Sequence, residues 1–98
     1  MNGGLKSAML AGRAAFVTGG SRGIGAAVSR RLAANGAAVA VNCRKNRALA
    51  ESVVASIAAN GGRAAVAQAD VSKPEEAVRA LERASETFGG IEIPVHNA

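Results

Sequence analysis

Between Thr18 and Gly25 the chain reads TGGSRGIG, four glycines in eight residues, set between an apolar run and a helix-like pattern. Glycine inside regular structure costs roughly 0.5–1 kcal/mol relative to alanine, so such a cluster marks a backbone that must turn sharply or let a ligand approach closely. The run closes a strand-like segment and opens a helical one, which predicts a helix N-terminus. Unpaired main-chain N–H groups and the positive end of the helix dipole make that place an anion site, and glycines admit a diphosphate to the main chain. In this reading Gly19 takes the tight turn, Gly23 the close approach and Gly25 the contact between helix and strand. Gly20, Ser21, Arg22 and Ile24 belong to the same site. A triphosphate-binding P-loop needs Lys-Ser or Lys-Thr directly after its last glycine; here Ala26-Ala27 follows.

Other reactive side chains offer less. Cys43 is the single cysteine, so it cannot form an internal disulfide and reads as a reduced thiol; a nucleophile would need an activating base, and none is indicated. His96 has no partner that would set it to acid–base work. No spacing of His, Cys, Asp and Glu resembles a metal site, so no metal is expected. Residues 1–50 hold eight Lys or Arg and no acid, whereas residues 51–98 hold four bases and seven acids. The first half therefore favours an anionic ligand. Nucleic acid would suit the charge, but the chain has no Tyr or Trp to stack on bases, and Phe16 and Phe88 fall at core positions. No apolar run reaches the roughly 18 residues a membrane helix needs, and Arg13 interrupts any signal-like core. Neither a nucleic acid nor a membrane is expected as partner, and the expected location is cytoplasmic.

The elements that must place these residues follow from hydrophobic period. Short apolar runs at Arg13–Gly19, Ala37–Cys43, Arg63–Asp70 and Ile91–Ala98 predict buried strands. Between them, Ile24, Val28 and Leu32, then Leu49, Val53 and Ile57, then Ala77, Leu81, Ala84 and Phe88 recur at helical spacing and predict three helices. Asn35-Gly36, Asn60-Gly61-Gly62 and Gly89-Gly90 supply helix stops, and Ser72-Lys73-Pro74-Glu75 reads as a capping box. Strands separated by helices of this length pair in parallel through crossovers. The expected class is α/β, a Rossmann-like doubly wound parallel sheet running β-α-β-α-β-α-β in strand order 3-2-1-4. Residues 1–11 read as a loose lead-in and residues 12–98 as one domain.

With these motifs in place, the chain resembles the short-chain dehydrogenases/reductases. Thr18, Gly19, Gly23 and Gly25 match the family's T-G-x-x-x-G-x-G loop. Asp70-Val71-Ser72 resembles its adenine-contacting Asp-Val, and His96-Asn97-Ala98 resembles its Asn-Asn-Ala-Gly motif. The order and spacing are most similar to the 3-oxoacyl-[acyl-carrier-protein] reductase branch. The resemblance implies a dinucleotide cofactor, contacted also by Asn97 and Ala98, and a small carbonyl or alcohol substrate in a homo-oligomeric full-length form. It further implies that a Tyr-x-x-x-Lys pair and a Ser carry the reduction and lie beyond the fourth strand. The chain has no tyrosine, so no catalytic residue is expected here, the 98 residues are expected to be inactive alone, and the end at Ala98 reads as a truncation. The alternative is a short, non-catalytic nucleotide-binding or regulatory protein.

The cofactor's identity follows from charge. An NAD enzyme places an acid at the end of the second strand for the ribose 2′-hydroxyl. Here Asn42-Cys43-Arg44-Lys45 stands there, and no acid precedes Glu51. Arg22 and Arg44 would attract a 2′-phosphate, so NADP(H) is expected over NAD(H), with Asn42 at the same strand end counted as a cofactor contact. Pro94 in the fourth strand departs from the family's aliphatic residue and from what a central strand tolerates.

Overall fold

Every residue of Ala14–Val17 and of Ala38–Cys43 is buried, as in strands covered on both faces. These are β1 (Ala14–Val17) and β2 (Ala38–Cys43), the centre of a four-stranded sheet completed by β3 (Arg63–Gln68) and β4 (Ile93–Val95). Three helices alternate with them, α1 (Gly23–Ala34), α2 (Arg47–Ala59) and α3 (Pro74–Phe88). The computed structural model describes residues 10–96. Strand order is β3-β2-β1-β4 with every pairing parallel, as the alternation of elements required. Ala14 pairs with Ala38, Val39 with Ala64 and Ala15 with Ile93. In this register the segments after all four strands emerge at one end of the sheet.

The two-residue period of the central strands sorts the core into two layers. Val17, Val39 and Val41 pack with Ala26 and Ala33 of α1 and with Ala50, Val53 and Ile57 of α2. Phe16 and Ala40 point the other way, onto Ala80 and Ala84 of α3. Helices thus cover both faces, two on one side and one on the other.

The helices contact the sheet through smaller residues than periodicity predicted. In α1 the buried residues are Gly25, Ala26, Ser29 and Ala33, while Ile24 is 75% exposed and Val28 and Leu32 are half-buried. In α3 Ala80 and Ala84 are buried and Leu81 is 39% exposed. Small side chains let a helix axis come close to the sheet, leaving bulkier neighbours on the flanks. In α2 the expected Val53 and Ile57 are buried together with Ala50.

The capping box before α3 is not formed. Lys73 is the N-cap and Pro74 opens the helix, whose N-cap makes no side-chain hydrogen bond. Proline lacks an N–H and carries a helical φ, so it is at ease in a first turn, and its place shifts the helix start past Ser72. Ser72 Oγ instead donates to Asp70 Oδ1 at 2.6 Å, and Glu76 Oε1 accepts from the Asp70 N–H at 2.9 Å. The far end of α3 stops as expected, with Gly89 left-handed at φ 80° and Gly89 and Gly90 both donating to Ser85 O.

Pro94 lies opposite Phe16 in β4, an edge strand among the described residues, where a missing donor is tolerated. The described part of the lead-in is tied down: the Leu10 N–H donates to Asn35 O at 2.7 Å, and Leu10 packs against the larger core cluster. Among the described residues no helix is long and apolar enough to cross a membrane.

Candidate cofactor-binding site

The turn between β1 and α1 is held open by its glycines. Gly19 and Gly23 have φ of 61° and 57°, a left-handed backbone that side chains with a Cβ resist. A Cβ built on Gly23 meets nothing within 4 Å, so the main chain there borders open space. Gly20 serves differently: its Cβ would sit 2.9 Å from Val17 O and 3.0 Å from Ser29 Oγ, and it is the glycine that lets the turn press between β1 and α1. Gly25 is buried on the sheet-facing side of α1, as its expected packing role requires, and Ser29 Oγ donates to its carbonyl at 2.9 Å.

The amides of this turn divide into two sets. Gly19 N–H donates to Asn42 Oδ1 at 3.2 Å and Gly20 N–H to Asn42 O at 3.0 Å, so these two face inward. At the head of α1, the N–H groups of Gly23, Ile24 and Gly25 have no acceptor within the helix, as at any helix start, whereas Ala26 N–H reaches Arg22 O at 3.3 Å. Arg22, the N-cap, is extended at φ −151° and makes no side-chain cap bond, and the first turn holds no acid. Donors and dipole therefore meet no negative group of their own.

The other strand ends stand beside this turn. Asn42 is buried and its side chain is engaged with main chain: besides Gly19, it donates from Nδ2 to Ala67 O at 2.9 Å and Ala69 O at 3.2 Å. Arg44 follows β2 with an exposed side chain, its Nε 3.6 Å from Asp70 Oδ2. Asp70 also accepts from the Ser72 N–H at 3.1 Å. These hydrogen bonds, the Ser72 hydroxyl's foremost, hold the Asp70 carboxyl below the ordinary carboxylate range, and Arg44 and Lys73 add to the effect. Val71 is half-buried against the cluster around Phe16 and Ala40. Ser21 is half-buried, and Arg22 and Ile24 are exposed. Asn97 and Ala98 lie outside the described residues.

The side chains of the remaining candidates make none of these hydrogen bonds, although His96 lines a surface cavity with Thr18 and Val71. Cys43 is buried; burial pushes its thiol pKa up, Arg47 opposing and Glu51 reinforcing the shift. His96 is exposed at the end of β4. Among the described residues no cluster of His, Cys, Asp and Glu is suited to a metal. A cavity of about 400 Å³ under α3, lined by Ala40, Ala67, Gln68, Arg83 and Phe88 among others, contains no residue of the glycine turn and none of Asn42, Arg44, Asp70 and Val71.

Two contributors were not legible as such from spacing: Gly20 as a packing glycine and Glu76 as the acceptor that ties α3 to the β3 exit. For Asn42 there was a signal. A polar residue inside the apolar run AAVAVNC must find partners once buried.

Four parallel strands in the order 3-2-1-4, helices on both faces and a glycine turn leading from the first strand into the first helix define a Rossmann-like doubly wound domain. The family described as short chain dehydrogenase matches residues 13–98, and the chain belongs to that family. An uncharacterized oxidoreductase of Methylorubrum extorquens is 46% identical over 91% of this chain and 36% of its own length. A 3-oxoacyl-[acyl-carrier-protein] reductase of Synechocystis is 42% identical over 91% of this chain and 36% of its own length. The crystal structure of a short chain dehydrogenase from Burkholderia cenocepacia in complex with NADP matches with a TM-score of 0.87 and 51% identity, over 92% of this chain and 37% of that one. The chain thus spans little more than a third of the length of these relatives.

Proposed function

We propose that the strand ends form the diphosphate and adenosine side of a nicotinamide dinucleotide site that prefers NADP(H) to NAD(H). The whole oxidoreductase would exchange hydride with a small carbonyl or alcohol, a 3-oxoacyl thioester by similarity to the Synechocystis reductase. The observation that carries this reading is the open first turn of α1, with amides free of helical partners, no acid, and clear space at Gly23. A diphosphate meets there what a helix start offers an anion.

In this proposal Gly23, Ile24 and Gly25 hold the diphosphate through main-chain N–H groups. Arg22 and Arg44 take the 2′-phosphate, and Asp70 and Val71 border the adenine. Asn97 and Ala98 keep the role implied by their motif. The bound nicotinamide would supply or accept the hydride. No tyrosine is present in the chain, so the Tyr-x-x-x-Lys chemistry cannot come from these residues, and the 98-residue chain is proposed to bind cofactor without turnover.

Calorimetric titration of the chain with NADPH and NADH tests the reading. NADPH is expected to bind about tenfold or more tightly, the scale of one charge-assisted hydrogen bond. Equal affinities would remove the preference for NADP(H), and no binding of either at millimolar concentration would remove the site.

A further inference from the structure

Asn42 is a polar residue, 3% exposed, in a strand otherwise made of Ala, Val and Cys. A side-chain amide offers one accepting oxygen and two N–H donors, and here all three are directed at main chain. Oδ1 accepts from Gly19 in the turn after β1, while Nδ2 donates to Ala67 and Ala69, in and just beyond β3. The Asn42 carbonyl accepts from Gly20 as well. One residue therefore spans three neighbouring strand ends, and among the described residues no buried side-chain N or O is left without a partner.

The geometry requires both donor and acceptor at the γ position. Aspartate would keep the acceptor for Gly19 but turn a second oxygen toward two carbonyls. Leucine, close in shape, would remove the acceptor that Gly19 N–H meets here and the donor that the two carbonyls meet. Glutamine carries one methylene too many for a buried site.

Building on the cofactor reading above, we propose that Asn42 is a positioning residue: it does not hold the dinucleotide but locks the glycine turn to the exit of β3. The diphosphate site at the head of α1 and the adenosine side around Asp70 and Val71 are thereby set as one unit. A ligand that spans both sides needs their separation held; a ligand confined to one side does not.

The test uses the full 98-residue chain as wild type and Asn42→Ala, with Asn42→Ser as the milder variant should Asn42→Ala fail to fold. Amide hydrogen exchange without cofactor is expected to speed up about tenfold or more at Gly19 while Val53 and Ile57 of α2 are unchanged. NADPH, which spans both sides, is expected to lose about tenfold in affinity. Adenosine 2′-monophosphate, which carries the 2′-phosphate but no diphosphate, is expected to lose less than about twofold. Unchanged exchange at Gly19, or equal losses for the two ligands, overturns the role of Asn42. A wild-type chain that ignores NADPH overturns the cofactor reading itself, a failure visible before any variant is made.

Discussion

Arg44 Nε stands 3.6 Å from Asp70 Oδ2, joining the segment after β2 to the segment after β3. With the arginine side chain 66% exposed, such a pair in water contributes little, and the guanidinium stays available to a doubly charged phosphate. Both residues belong to the proposed cofactor site, which makes the pair a first target for substitution.

Arg44→Gln removes the cation without adding a charge, whereas Arg44→Asp also sets a second carboxylate near Asp70. Affinity for NADPH is expected to fall roughly ten- to hundredfold in the first variant, and further in the second, with NADH little affected. Calorimetry with both dinucleotides reads the outcome. A parallel loss for NADPH and NADH would mean that Arg44 does not discriminate the 2′-phosphate.

The Asp70 carboxyl titrates below its ordinary value of 3.8, chiefly because the Ser72 hydroxyl bonds its charged form. A depressed folded-state pKa contributes stability that is fully present above the unfolded value and fades as pH falls through the folded one. Wild type is therefore expected to be more stable than Asp70→Asn near neutrality, with the gap narrowing as pH drops below 3.8. Thermal melts between neutral and strongly acid pH measure this; a gap independent of pH would count against the assignment.

Gly20→Ala places a methyl 2.9 Å from Val17 O and 3.0 Å from Ser29 Oγ. Neither neighbour yields easily, because one is strand backbone and the other hydrogen-bonds Gly25 from a buried position. A loss of about 1–3 kcal/mol is expected, the usual range for overpacking. Urea denaturation should show it, and a midpoint equal to that of wild type would refute the close-packing role.

Cys43 is expected to resist alkylation in the folded chain at neutral pH, since burial both shields the thiol and raises its pKa. Iodoacetamide labelling followed by mass spectrometry should modify it only once the chain is unfolded in urea. Rapid labelling of the native protein would contradict its burial.

The architecture was legible because its signals are local and redundant. Continuous apolar runs, helical spacing and helix stops recur along the chain, and parallel pairing follows from the length of the crossovers. Strand ends were less so: the run Arg63–Asp70 is strand only to Gln68, and Ile91–Ala98 only over Ile93–Val95 among the described residues. Single apolar residues, Ala69 after β3 and Ile91 before β4, lie just outside the ladder contacts. In α1, apolar period pointed to Ile24, Val28 and Leu32, but the sheet accepts Gly25, Ala26, Ser29 and Ala33. Distance of approach, which period does not encode, decided that face.

By itself the sequence determined the order of elements, the glycine turn at the first helix start and the absence of an acid where a ribose hydroxyl would ask for one, because each depends on neighbours along the chain. Tertiary structure alone decided how the turn's amides are divided, with Gly19 and Gly20 bonded inward to Asn42 and the head of α1 left open. It also decided that Arg44 meets Asp70, 26 positions further along the chain. Hydrogen bonds between strand ends depend on register and depth in three dimensions, and residues far apart in the chain acquire both only when the sheet assembles.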